Sequence, residues 1–138
     1  MDFTKLSRDD VGRLAQAATA AAANAYAPYS HFRVGCGLLL SNDEVVSGAN
    51  FENASYGLTI CAERAAVAQA ITVYGPNIRI GAIYIVNWNE AASAPCGACR
   101  QVLWEFAAPT AQVFFPTERG LEQQPLSALL PFGFQLRL

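Results

Sequence analysis

A three-layer α/β sandwich whose later strands run parallel is the fold the sequence predicts, and three observations predict it. Apolar residues recur at helical spacing near the N-terminus, a short hairpin pattern follows, and from there helical and strand patterns alternate. Val11, Leu14, Ala15, Ala18, Ala22 and Ala25 form the first helical face, beginning at Ser7 and stopping at Ala27-Pro28. The alanine run from Ala17 to Ala23 favours helix and suits close packing. Phe32 to Leu40 reads as a buried strand, Ser41-Asn42-Asp43-Glu44 as a turn, and Val45 to Ala49 as the antiparallel return. A second helix is predicted from about Ile60 to Tyr74, ended by Gly75-Pro76. Ile78 to Val86 is apolar on both faces, as a central strand is. A third helix over Cys96 to Phe106 precedes a strand at Ala111 to Phe115. The tail shows only a possible helical turn near Leu126 to Leu130.

The 138 residues suit a single domain, 1–138, and a 53% apolar content is enough for a core. A formal net charge of -2 without a basic run argues against a nucleic-acid partner. No stretch approaches the roughly 20 apolar residues of a membrane span, and Met1-Asp2-Phe3-Thr4-Lys5 lacks a signal pattern, so a cytoplasmic protein is expected. In that reducing compartment the four cysteines speak less for disulfides than for metal or redox chemistry.

Glu63 shares a helical face with Val67, Ala70, Ile71 and Tyr74, so the carboxylate faces the core, where a charge needs a partner or a task. Cys99 likewise leads Val102, Leu103 and Phe106, with Cys96 one turn earlier, which puts two inward thiols at a helix start, where thiolates are stabilised. By spacing alone Cys96 and Cys99 fit a redox pair as well as a metal site. Cys61, two residues before Glu63 at the start of the other helix, shifts the balance. Two converging helix starts supply three thiolates and a carboxylate, and three protein ligands leave a tetrahedral position open, as in a catalytic zinc site.

Cys61-Ala62-Glu63 followed by Pro95-Cys96-Gly97-Ala98-Cys99 resembles the signature of the zinc-dependent deaminases. With Pro28-Tyr29-Ser30-His31-Phe32, Asn50-Phe51-Glu52-Asn53-Ala54-Ser55-Tyr56, Cys99-Arg100-Gln101 and Leu129-Leu130-Pro131, the chain is similar over nearly its whole length to the small homotetrameric cytidine deaminases. The resemblance implies an α/β/α sandwich on a mixed, mostly parallel five-stranded sheet. It also implies hydrolysis of free cytidine and deoxycytidine to uridine and deoxyuridine with release of ammonia, a step of pyrimidine salvage. One Zn²⁺ per chain would be bound by Cys61, Cys96 and Cys99 and would activate water, with Glu63 as the proton shuttle. Arg64 would hydrogen-bond the sulfurs. Asn50 and Glu52 would hold the ribose, Phe32 would pack on the pyrimidine, and the Ala62 backbone would read the base edge. Ala54, Tyr56 and Phe134 would complete a pocket shared between subunits of a homotetramer. Arg33 stands where relatives often carry proline, and Cys36-Gly37 replaces a common pair of small residues. Cys36 reads as a small buried hydrophobe and His31 as structural.

Two other readings of the thiols stand beside this one. A thiol oxidoreductase explains Cys96 and Cys99 but leaves Cys61 and Glu63 without a purpose. A closed structural zinc module would need Cys36 as fourth ligand.

Overall fold

The computed structural model describes residues 2–136. Its elements are α1 (Arg8–Ala23), β1 (Val34–Leu40), β2 (Val45–Ala49), a 3₁₀ turn (Tyr56–Leu58), α2 (Ala62–Tyr74), β3 (Ile80–Asn87), α3 (Gly97–Phe106), β4 (Ala107–Thr117), β5 (Gly120–Pro125) and α4 (Leu126–Leu129). The five strands form one sheet in the order β2-β1-β3-β4-β5. Alternation along β1 divides the core in two. Leu39 meets Phe3, Leu14, Ala82 and Phe114 on the α1 side. Cys36, Leu38 and Leu40 pack on the other side with Ala66 and Val67 of α2, Leu103 of α3 and Leu126 of α4. The three layers are therefore as expected.

The sheet is mixed, but it is not mostly parallel. Among the described residues only the β3–β4 pair is parallel; β1–β2, β1–β3 and β4–β5 are antiparallel. Short connections are the reason: residues 41–44 join β1 to β2, and 118–119 join β4 to β5, too few for a crossover. Residues 50–79, carrying α2, and 88–106, carrying α3, are long enough to cross over, so β2, β3 and β4 run the same way with β1 inserted between the first two.

Boundaries differ from expectation where tertiary pairing overrides local preference. The first helix ends at Ala23 instead of reaching Ala27, because Tyr26 pairs with the 50–52 segment: its N–H donates to the Asn50 carbonyl at 3.0 Å, and its carbonyl accepts from the Glu52 N–H at 2.9 Å. The second helix starts at Ala62, not Ile60, because Ile60 exchanges backbone hydrogen bonds with Phe51 at 3.0 and 3.1 Å. That pairing makes Cys61 the capping residue. β1 begins at Val34 instead of Phe32, since the Asn50 side chain accepts from the Val34 N–H (2.9 Å) and donates to the Phe32 carbonyl (2.8 Å).

Candidate active site

The carboxyl ends of β2 and β3 and the amino end of β1 lie together, since Gly35 pairs with Ala49 and Val34 with Asn87. α2 and α3 both begin at this end of the sheet, each following the strand whose carboxyl end lies there. In open α/β sheets such a place is where ligands bind.

Cys61 is the N-cap of α2 and Cys96 the N-cap of α3, and Cys99 lies in the first turn of α3. Their three sulfurs fall within 4.8 Å of one another. Cys96 Sγ and Cys99 Sγ are 3.3 Å apart, and the Cys99 N–H reaches Cys96 Sγ at 3.4 Å. Cys61 is lowered to about 5 by the hydrogen bond from the Cys99 thiol and by Arg64 beside it. Cys99 is pushed up by that same shared proton and by burial.

A zinc ion fits this donor set on two grounds. Tetrahedral Zn–S bonds of about 2.3 Å place sulfurs about 3.8 Å apart, within the span seen here. Arg64 already sends Nη2 to Cys61 Sγ and to the Thr59 carbonyl, both at 3.5 Å, while its buried Nε has no partner among the described residues. A guanidinium with an unused buried donor beside three sulfurs suits a cluster that becomes more negative when metal replaces the thiol protons. Cys36, fully buried on β1 with its thiol directed to the Gly37 carbonyl at 3.8 Å, is not part of the sulfur group.

Glu63, in the first turn of α2, is only 5% exposed. Burial raises its pKa and the neighbouring Cys61 adds to the rise, against its own N–H, the Cys99 thiol and Arg64. A buried carboxyl that holds its proton more readily than usual, at the wall of a cleft, is equipped to take and return one.

The cleft measures about 320 Å³, and among its lining residues are Phe32, Asn50, Glu52, Cys61, Ala62, Glu63 and Cys96. Beside it a hollow of about 340 Å³ is lined by Tyr29, Ser30, Glu52, Tyr56 and Thr59. Ser30, Glu52 and Thr59 border both. Cys99 is buried behind the cleft. Ala54 and Phe134 line neither hollow; both are exposed, and the Phe134 carbonyl accepts from Gln101 Nε2 at 3.1 Å. Residues not singled out from the sequence also line the cleft: Ser30, Val34, Thr59, Ser93 and Ala94. Ser30 stands in a quoted motif, but nothing in the spacing marks its reach to Glu52.

Fold and site together define an α/β enzyme with a zinc-binding region. Residues 9–115 match the family model described as the cytidine and deoxycytidylate deaminase zinc-binding region. A protein named cytidine deaminase from Halalkalibacterium halodurans is 44% identical over 112 residues, covering 80% of this chain and 83% of its own. One from Mycobacterium tuberculosis is 42% identical over 119 residues, 86% of this chain and 85% of its own. Among solved structures, cytidine deaminase from M. tuberculosis superposes with a TM-score of 0.80 at 40% identity, covering 92% of this chain and 98% of that one. That from Burkholderia pseudomallei gives 0.80 at 40% identity, covering 94% and 100%. The chain belongs to the cytidine and deoxycytidylate deaminase family, and as a deaminase it is a hydrolase. Among the described residues no helix is long and apolar enough to cross a membrane.

Proposed function

We propose that the protein hydrolyses the C4 amino group of free cytidine and deoxycytidine, giving uridine or deoxyuridine and ammonia, as a cytoplasmic homotetramer in pyrimidine salvage. The observation that carries this reading is the convergence of two helix N-termini, bearing three sulfurs and the buried Glu63, on one wall of a nucleoside-sized cleft. The relatives' names support the substrate class.

Cys61, Cys96 and Cys99 would hold the zinc, which when bound supplies the Lewis acidity that makes water nucleophilic near neutral pH. Glu63 accepts a proton from the attacking water and delivers it to ring N3 as C4 becomes tetrahedral, then takes the second proton from the new C4 hydroxyl and passes it to the departing amino group as the C4–N bond breaks. Arg64 offsets the negative charge that three thiolates leave in excess. Phe32 packs on the pyrimidine and the Ala62 backbone reads its edge. Asn50 already spends one N–H and one lone pair on Phe32 and Val34, so one donor and one acceptor remain for a sugar hydroxyl. Glu52 accepts from the same sugar.

The test is an ammonia-release assay with cytidine, deoxycytidine, cytosine, CMP and adenosine. Turnover of the first two with little or none of the others is expected. Equal turnover of free cytosine would remove the sugar from the account, and turnover of none would overturn it.

A further inference from the structure

Glu52 is held by a loop that also carries Phe32. The Tyr29 and Ser30 N–H groups donate to Glu52 Oε1 at 3.0 and 3.1 Å, and the Ser30 hydroxyl donates to Oε2. The same hydroxyl oxygen accepts from the Phe32 N–H at 3.0 Å. A hydroxyl has one proton, so its direction here is settled: donor to the carboxylate, acceptor from the amide. A carboxylate offers about four acceptor positions, and three are filled.

We propose that Ser30 is a positioning residue for sugar recognition, joining the Glu52 carboxylate and the Phe32 backbone into one rigid unit that leaves a single acceptor position facing the ligand. The proposal rests on the reading of Glu52 as a sugar-holding residue. Without the Ser30 hydroxyl, Oε2 loses its partner and the carboxylate turns among rotamers, so part of the binding energy is spent on ordering it. The loss falls on ground-state and transition-state binding alike, because the sugar does not react, and so belongs in KM. The Ser30 hydroxyl, with the Ser30 and Tyr29 amides and nearby His31, also holds the Glu52 carboxyl below the usual carboxylate range, keeping it an acceptor.

The experiment compares Ser30→Ala, Ser30→Thr, Glu52→Gln and the double variant Ser30→Ala/Glu52→Gln, each zinc-loaded, with cytidine as substrate. Ser30→Ala is expected to raise KM about tenfold, as loss of a hydrogen bond to a charged group does, with kcat within about twofold. Ser30→Thr, which keeps the hydroxyl, should restore most of that loss, and the double variant should be no worse than Glu52→Gln alone. If the alanine variant does not fold, Ser30→Cys keeps the size with a far weaker donor and should show the same split. An unchanged KM in Ser30→Ala beside a raised KM in Glu52→Gln overturns the positioning role and leaves the sugar reading standing. Fully additive losses overturn it too. An unchanged KM in Glu52→Gln overturns the sugar reading, and the proposal with it.

Discussion

Cys61 and Cys96 hold the same position on two different helices: each is the residue whose carbonyl accepts the first helical hydrogen bond, Ala65 N–H donating to Cys61 O at 3.0 Å and Arg100 N–H to Cys96 O at 2.9 Å. A helix start carries unpaired N–H groups and partial positive charge. Two such starts facing one point favour negative charge on the sulfur cluster as a whole, and the thiolate is the form that binds metal.

The first prediction concerns metal. Purified protein should contain about one zinc per chain, because three thiolates hold it far better than magnesium or calcium. Cys96→Ser should lower zinc content by elemental analysis as well as activity. Cys36→Ala should retain zinc, since Cys36 stands apart from the sulfur group. A metal-free preparation with full activity would end the zinc account.

Glu63→Gln should keep zinc and nucleoside binding while kcat falls by about 10²–10⁴, the usual contribution of a positioned acid-base group. The amide preserves the shape and cannot carry the proton. Steady-state kinetics together with equilibrium binding decide it, and a variant within about tenfold of wild type would require another base.

Gly48→Ala tests how the sheet places that carboxyl. Gly48 faces α2, and a Cβ there would run into the Ala66 backbone nitrogen and lie 2.8 Å from the Ala62 carbonyl oxygen. Backbone cannot step aside as a side chain can, so the first turn of α2 must move, and Cys61 and Glu63 move with it. A loss of about 1–3 kcal/mol in chemical denaturation is expected, with a fall in kcat/KM beyond what the unfolded fraction explains. Gly12→Ala, with nothing within 4 Å of its new Cβ in the middle of α1, should instead stabilise by about 0.5–1 kcal/mol.

How much of this could be read in advance depends on the range over which each signal acts. The helix starts, the hairpin and the Cys61-Glu63 and Cys96-Cys99 spacings are local patterns, and they survive folding nearly intact. β5 is not legible, because Leu121-Glu122-Gln123-Gln124 has little strand preference. It pairs with β4 because Gly120, at φ +109°, turns the chain back after two residues. The early ends of α1 and the late start of α2 come from Tyr26 and Ile60 pairing with either side of Phe51, single-residue bridges that leave no period to detect. Sequence resemblance marks Asn50 as a sugar contact. Its bonds to the Phe32 and Val34 backbone, 18 and 16 residues away, show that it also sets where β1 begins.

That second duty makes Asn50→Ala a different variant from Glu52→Gln. Asn50 is 8% exposed, and its removal strands the part-buried Val34 N–H and Phe32 carbonyl. Stability should fall by about 1–3 kcal/mol. Glu52→Gln, at a half-buried loop position, keeps an amide oxygen for the Tyr29 and Ser30 N–H groups and gives up only part of the carboxylate's bonding, so its denaturation midpoint should fall less. Equal midpoints for the two variants would show that Asn50 has no structural role.

The last prediction concerns assembly. Phe132 (104% exposed), Leu136 (73%) and Phe134 (63%) stand in solvent near the C-terminus, and Tyr56 (74%) and Leu58 (64%) do so beside the cleft. So much apolar surface on a small chain calls for a partner, and a second copy is the occupant that family resemblance implies. Phe134 lines no part of its own chain's cleft, so if it packs on a nucleoside, that nucleoside lies in a neighbour's site. Activity per chain should then fall on dilution as subunits separate. A Glu63→Gln chain keeps a sound Phe134, and a Phe134→Ala chain keeps a sound Glu63. If the chain assembles as proposed, tetramers mixed from the two should therefore contain some sites built from the intact half of each, and should exceed the summed activity of the parents. A fully active monomer on gel filtration, or mixtures that never exceed that sum despite proven subunit exchange, would exclude the shared pocket. Either result would leave the sulfur cluster and Glu63 untouched, since every residue of that wall comes from one chain.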